Sequence, residues 1–448
     1  MDGFLDRFTG SSVASPPGIA ERTRRRVDRR VLPFVFLLYL ISYLDRVNVG
    51  FAGLQMTREL GFSNYVFGLG GGIFFIGYFL LEVPGSILAE VWSARKWIAR
   101  IMITWGLVAS LSGLIRSEQQ FYWLRFILGI AEAGFVPGII VYLSHWYRPE
   151  DRGKAIAIFF AAIPASAVIG GPLSAVFLKI HWLGLAGWRW LLILEGVPAV
   201  ICGIVTIFYL TDHPAQARWL KDDEREWLVA QLRRAAKPAY LSTLASAGQA
   251  LRNPTVLLMA VTLMLGLTAT YGVSLWLPKM VQGLSTYGLS QVSLIAAIPG
   301  LCALPAMLLN GWHSDRTGER IWHAAIPRTL AGIAMFICVF TTSHVWISVF
   351  LLSVATIGFY SAHPGFWPLP NILLGKTAAA ASIGLINSFG NLGGFIGPYV
   401  IGFVSDRFGG FEPSLLFLAV CSAASGLLIL LLRPAVRAAT AKDAKAAE

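Results

Sequence analysis

The stretch Val31-Leu-Pro-Phe-Val-Phe-Leu-Leu-Tyr39-Leu-Ile-Ser-Tyr43-Leu-Asp45-Arg46-Val-Asn48-Val-Gly50-Phe-Ala-Gly-Leu54 decides how the rest of the chain is read. It is an apolar run long enough to cross a bilayer, for which about 20 residues suffice. Yet Asp45 and Arg46 stand side by side deep within it. Each charge costs a few kcal/mol at the membrane centre. A helix that only anchors a protein gains nothing from that cost. The pair is therefore expected to face a wet interior and to handle a polar solute.

Composition widens this to the whole chain. Its 448 residues are 56% hydrophobic and 13% charged, against about 25% charged in a soluble domain. A polytopic, all-helical membrane protein follows. The net charge of +12 would suggest nucleic acid in a soluble protein, but here the placement of the charges assigns it to topology, and no nucleic-acid partner is expected. Cys202, Cys302, Cys338 and Cys421 stand singly in apolar segments and read as small buried hydrophobes rather than disulfides or ligands. No spacing of His, Cys and acidic residues suggests a metal. There is no G-x-x-x-x-G-K-[ST] motif for ATP, so direct ATP coupling is not expected, and no cofactor is expected either. The first 30 residues hold no apolar core of a cleaved leader, which makes the first span the expected targeting signal.

Apolar stretches recur at about 31–54, 65–89, 98–115, 120–145, 155–179 and 189–211, then at 254–279, 289–312, 322–341, 345–374, 378–404 and 412–432. The expected organisation is a basic N-terminus (1–30), a six-helix bundle (31–211), a charged linker (212–252), a second six-helix bundle (253–433) and a short tail (434–448). Of the 36 Lys and Arg residues, 28 fall on the side holding both termini and the linker, a census that assigns Arg328 to the loop between spans eight and nine. Positive charge marks the cytoplasmic side. Both termini are therefore expected there, in the inner membrane of a cell. The halves echo each other: Gly171-Pro172 and Gly397-Pro398 are 226 residues apart. The loop Gly85-Ser-Ile-Leu-Ala-Glu90-Val-Trp-Ser93-Ala-Arg95-Lys96 is followed about 225 residues later by Gly311-Trp-His-Ser314-Asp315-Arg316-Thr-Gly318-Glu-Arg320. Parallel repeats of this kind hold a substrate between the halves, near mid-membrane.

The second of these loops is a good copy of the signature of the major facilitator superfamily, which the chain resembles over residues 30–433. The first copy departs from it at Glu90, Val91 and Ser93. Within the superfamily the chain is similar to the anion:cation symporter family, which includes tartrate, phthalate, aldonate and hexarate permeases. The matching stretches include Tyr43-Leu-Asp45-Arg46-Val-Asn48, Glu82-Val-Pro84, Arg125…Gly129…Ala131-Glu132-Ala-Gly134, Gly187-Trp188-Arg189-Trp190, Trp367-Pro-Leu-Pro370 and Asn387…Gly390-Asn391-Leu-Gly393-Gly394. The resemblance implies twelve transmembrane helices in two six-helix pseudo-repeats and proton-driven uptake of a small organic anion. It implies a conformational gating role for the two loops, carried by Glu90, Arg95, Asp315, Arg316, Gly318 and Arg320. The expected partners are the anion, protons and the lipid bilayer, and the expected unit is a monomer.

Helical spacing locates the chemistry independently. Tyr39, Tyr43, Arg46 and Gly50 step by four, three and four and share one face of span one, with Asp45 about 100° round it. Arg125 and Glu132 share a face of span four, about 10 Å apart along the axis. Arginine suits an anion anchor because its fork grips a carboxylate at two points. A carboxylate suits the proton because desolvation favours its neutral form. Arg46 is the expected anchor with Arg125 assisting, and Glu132 and Asp45 are the expected proton carriers. Tyr43, Tyr78, Tyr271, Trp367, Asn387 and Asn391 are the expected hydroxyl, indole and amide contacts. Two ion pairs, Asp45 with Arg125 or Arg46 with Glu132, are the competing, purely structural role for these charges. His363 is expected to pack as a neutral histidine, and Glu82 and Glu195 to be structural residues near opposite ends. The rival functions are an exporter or antiporter on the same scaffold, a membrane sensor, or an embedded enzyme. The sensor lacks a large output domain and the enzyme lacks a convincing nucleophile and base.

Overall fold

Apolar runs interrupted by glycine and proline fold, in a computed structural model that describes residues 18–235 and 252–447, into a helical bundle. Residues 1–17 of the basic N-terminus and 236–251 of the linker lie outside the described residues. The first half comprises α1 (Ile19–Leu60), α2 (Asn64–Val91), α3 (Ala94–Ser112), α4 (Glu118–Glu132), α5 (Phe135–Ser144), α6 (Pro149–Phe160), α7 (Ala162–Phe177) and α8 (Gly187–Tyr209). A linker helix, α9 (Asp222–Ala235), carries acids in its first turn and arginines in its last, the order that suits the helix dipole. The second half comprises α10 (Pro254–Gly283), α11 (Leu289–Thr317), α12 (Ile321–Cys338), α13 (Val345–Phe366), α14 (Leu369–Asn391), α15 (Gly393–Phe408) and α16 (Glu412–Leu431), followed by α17 (Arg433–Ala447).

Ten helical stretches among the described residues are long and apolar enough to cross a membrane. Helix α3 falls outside that set because Arg95, Lys96 and Arg100 dilute its apolar sequence, and the eleventh span is split between α14 and α15. The fourth span breaks between α4 and α5 at Gly134, whose φ of 82° suits only glycine readily. That glycine lies where α4–α5 crosses α2: a Cβ on it would sit 2.8 Å from the Gly85 Cα. Helix α1 is about 60 Å long at 1.5 Å per residue, twice the hydrocarbon thickness. Its first turns, with their arginines, therefore project beyond the apolar layer.

The halves meet along three matched pairs of helices: α1 with α10, α2 with α15, and α7 with α11. Small residues permit the approach. A Cβ on Gly68 of α2 would fall 2.4 Å from the Pro398 carbonyl oxygen, and one on Gly171 of α7 would fall 2.7 Å from that of Ser293. The end distal to the termini is closed by polar contacts. Asp406 of α15 accepts the amide N–H groups of Asn64 (3.1 Å) and Tyr65 (2.7 Å), capping α2 from the opposite half. Lys279 of α10 donates to the Asn64 side-chain oxygen at 2.9 Å.

Arg328 lies inside α12, only 3% exposed. It donates to the Gly266 carbonyl (2.9 Å) and the Thr270 hydroxyl (3.2 Å), and so belongs to a span rather than to a loop.

Candidate functional site

The four central charges meet inside the first half. Arg46 pairs with Glu132, Nη2 to Oε1 at 2.8 Å, and its Nε donates to the same oxygen at 2.9 Å. Ser42, one turn earlier on α1, also donates to Oε1 at 2.9 Å, while Oε2 has no hydrogen-bond partner. The two side chains are 8% and 0% exposed, so the pair is sealed from solvent. The guanidinium carbon lies 5.0 to 5.5 Å from the ring centroids of Tyr78, Tyr43 and Phe74, distances at which a ring face attracts a cation. From the other half, Tyr271 of α10 places its hydroxyl 3.3 Å from both Arg46 Nη1 and the Tyr43 hydroxyl. The structural pairing anticipated for Arg46 and Glu132 is thus present, and it sits at the interface of the halves.

Asp45 points the other way, as its 100° offset requires. Its oxygens accept from the Trp105 indole N–H of α3 (2.8 Å) and from the Asn48 amide (3.1 Å). Arg125 acts on it electrostatically and lies over the Phe74 ring, 4.9 Å from its centroid. Arg125 is 4% exposed, and its Nε donates to no partner. It is a buried cation with a donor unspent.

The remaining expected contacts divide. Tyr43, Tyr78 and Tyr271 join the cluster. Asn387 instead donates to Glu82 of α2 across the interface, together with Ser388 (3.0 Å), and Asn391 flanks the same carboxylate. Trp367 does not reach the cluster: it packs against Phe366 and the second-half core around Val256 and Leu369. Glu82 is no end-of-helix prop. It is 5% exposed and ties the halves together on the side nearer the termini. Glu195 is equally buried, at 6%, and adjoins Asn48 and Asp45. Its place halfway along α8 puts it beside the charge cluster, not at the distal end. Ser42 and Trp105 are further members that helical spacing did not single out.

The two loops expected to gate find partners within their own halves. Arg95 donates its amide to Asp212 (2.9 Å) and pairs with it at 3.6 Å, and Ser93 donates to the same carboxylate. Glu90 faces His145 at 3.9 Å. Burial, then the neighbouring His213, holds the His145 imidazole down at about 4, so this contact is uncharged on the histidine side at neutral pH. Asp315 pairs with Arg320 at 2.6 Å, Gly318 ends α11 with φ 68°, and Arg316 lies over Trp312.

Two bundles joined by a linker, with a charged cluster at their seam, match a known sequence pattern: the profile of the Major Facilitator Superfamily fits residues 35–398. The chain belongs to the major facilitator superfamily. This transporter is 45% identical over 417 residues to a protein of Agrobacterium vitis named as a candidate tartrate transporter, covering 92% of this chain and 94% of that one. It is 36% identical over 397 residues to the quinolone resistance transporter of Acinetobacter baumannii, covering 88% and 91%. Its fold matches that of a bacterial homologue of the human lysosomal transporter Spinster, with TM-score 0.70 at 16% identity, over 96% and 98% of the two chains. It is therefore a multi-pass membrane transporter of a small molecule and not an enzyme.

Proposed function

We propose that this transporter takes up a small organic anion by proton-coupled symport, working as a monomer by alternating access with both termini in the cytoplasm. The anion is a tartrate-like dicarboxylate, a sugar acid or an aromatic carboxylate. The observation that carries the proposal is the sealed Arg46–Glu132 pair, capped by Tyr271 of the other half. While Glu132 is charged, Arg46 is neutralised, and an anion reaching Arg46 comes within about 5 Å of a carboxylate. At an effective dielectric near 20 that repulsion is about 3 kcal/mol, more than a hundredfold in affinity. A proton on Glu132 removes the repulsion and releases the guanidinium donors. Anion and proton then bind together.

In this reading Arg46 anchors the anion and Arg125, with its unspent Nε, holds the far end. Asp45 is the second proton carrier. Return to the side of the termini requires Glu82 to leave Asn387 and Ser388, so these residues gate as well as line the path. The proton gradient is the only driving force invoked.

The test is uptake of labelled tartrate into vesicles holding the purified protein, with acid imposed outside. The intact protein is expected to concentrate the label, whereas Glu132→Gln is expected to exchange it without concentrating it. A Glu132→Gln protein that still accumulates label against a gradient sinks the assignment. The relative named for quinolone resistance motivates a second reading, export by antiport. In the same vesicles that reading demands that inward proton flow expel the label.

A further inference from the structure

Away from the transport cluster, the first turns of α1, the last turn of α8 and the linker form an open cavity of about 640 Å³ lined by Arg22, Arg25, Arg26, Arg29, Arg30 and one acid, Glu21, with Tyr209 and Trp219 as its aromatic wall. We infer that this cavity is a binding site for the phosphodiester headgroup of an anionic phospholipid.

Charge is the first argument. Glu21 pairs with Arg25, Asp223 with Arg22, and Glu224 with Arg22 and Arg26. Five arginines therefore face three carboxylates, and Arg29 and Arg30 have no carboxylate partner among the described residues. Unspent donors are the second. Arg30 stacks on Tyr209 (4.3 Å) and lies 5.4 Å from the Trp219 centroid. It donates at the long distance of 3.4 Å to the Tyr209 carbonyl, while its Nε and the Trp219 indole N–H donate to nothing. A phosphate offers several acceptor oxygens to such a fork.

Position separates a lipid from a free anion. The cavity lies where the apolar run of α1 begins at Val31, at the depth that aromatic residues favour in a bilayer. Below it, α8 presents Phe208, Val205, Ile204 and Ile201 outward, 81%, 40%, 48% and 54% exposed, an apolar ramp on which acyl chains can lie. Basic pockets at this level are suited to acidic headgroups. The arginines thus do more than set topology. They join the lipid to α1 and α8 of the first half and to the linker that leaves it.

The experiment measures thermal unfolding of the purified full chain in detergent, titrated with phosphatidylglycerol, with phosphatidylcholine of the same acyl chains, and with inorganic phosphate. Phosphatidylglycerol is expected to raise the midpoint by about 3 °C or more beyond phosphatidylcholine, with inorganic phosphate giving none of that gain. Arg25→Gln/Arg29→Gln is expected to lose the gain, and Arg116→Gln, exposed at the opposite end, to keep it. Arg29→Gln alone, which breaks no described ion pair, is measured beside the double variant and is expected to weaken the response several-fold. Equal gains from the two lipids, an equal gain from inorganic phosphate, or a full gain in both arginine variants would each overturn the inference.

Discussion

Arg46 touches one carboxylate and three aromatic faces, and each contact asks something different of it. The carboxylate needs a fork and the rings need a flat, weakly hydrated cation, so lysine supplies neither although it keeps the charge. Arg46→Lys is expected to raise the half-saturating substrate concentration about tenfold or more, the equivalent of 1.4 kcal/mol, measured by counterflow in vesicles. Tyr271 gives a smaller, separable effect. Its hydroxyl makes two long contacts at 3.3 Å, to Arg46 and Tyr43, and a neutral hydrogen bond contributes about 1 kcal/mol. Tyr271→Phe is expected to weaken binding by about fivefold and to leave proton dependence intact. Loss of proton coupling in that variant would move Tyr271 from contact to coupling residue. The Tyr43–Arg46 face of α1 and the Arg125–Glu132 face of α4 were each legible in the sequence, because residues reached by steps of three and four on a helix share a side. Glu82 was not: its partners, Asn387 and Ser388, lie 305 and 306 residues away, and no periodicity encodes a contact between separate helices.

At the scale of elements, packing of backbone on backbone explains why several glycines cannot be replaced. Gly68 of α2 faces the Pro398 carbonyl of α15, and a side chain there meets an atom that cannot rotate away. Gly68→Val is expected to hold the distal end open, read as labelling by a membrane-impermeant thiol reagent of a cysteine placed at Ser293, which is buried in the seam here. Protection equal to that of the parent would show that the helices yield instead. The junction of α5 with the end of the sixth span has a pH signature. His145, held at about 4 by burial and then by His213, stays neutral in the fold while an unfolded chain takes up a proton near 6.5. Stability is therefore full above that pH and declines as pH falls towards 4. Thermal midpoints at pH 7 and pH 5 are expected to differ less in His145→Gln than in the parent. Spans rich in Leu, Ile, Val and Phe could be read directly from hydropathy. Helix α3, diluted by Arg95, Lys96 and Arg100, needed its place in the count. Arg328 escaped because its guanidinium is satisfied by a carbonyl and a hydroxyl, neither of which leaves a mark in the sequence.

For the whole molecule, the Arg46–Glu132 cluster lies between two closures of different kinds. Towards the termini, Glu82 bridges to α14 through side chains. At the distal end, Asp406 of the second half caps α2 of the first through main-chain amides. A cap of this kind contributes about 0.5–2 kcal/mol, enough to bias the halves and too little to lock them. Asp406→Asn keeps the shape and loses the charge that favours a helix N-terminus. It is expected to shift the population towards the distal-open form by about two- to fivefold, measured as a change in distance between spin labels placed on α1 and α10. An unchanged distribution would leave Lys279 and the apolar seam as the only distal latch. One consequence follows from the rings around Arg46. In the proposed symport a proton on Glu132 changes the charge of a site whose outline Tyr43, Phe74 and Tyr78 already set around the guanidinium. Acidification should therefore strengthen the binding of every accepted anion by a similar factor, and the rank order of preferred substrates should be the same at pH 5 as at pH 8.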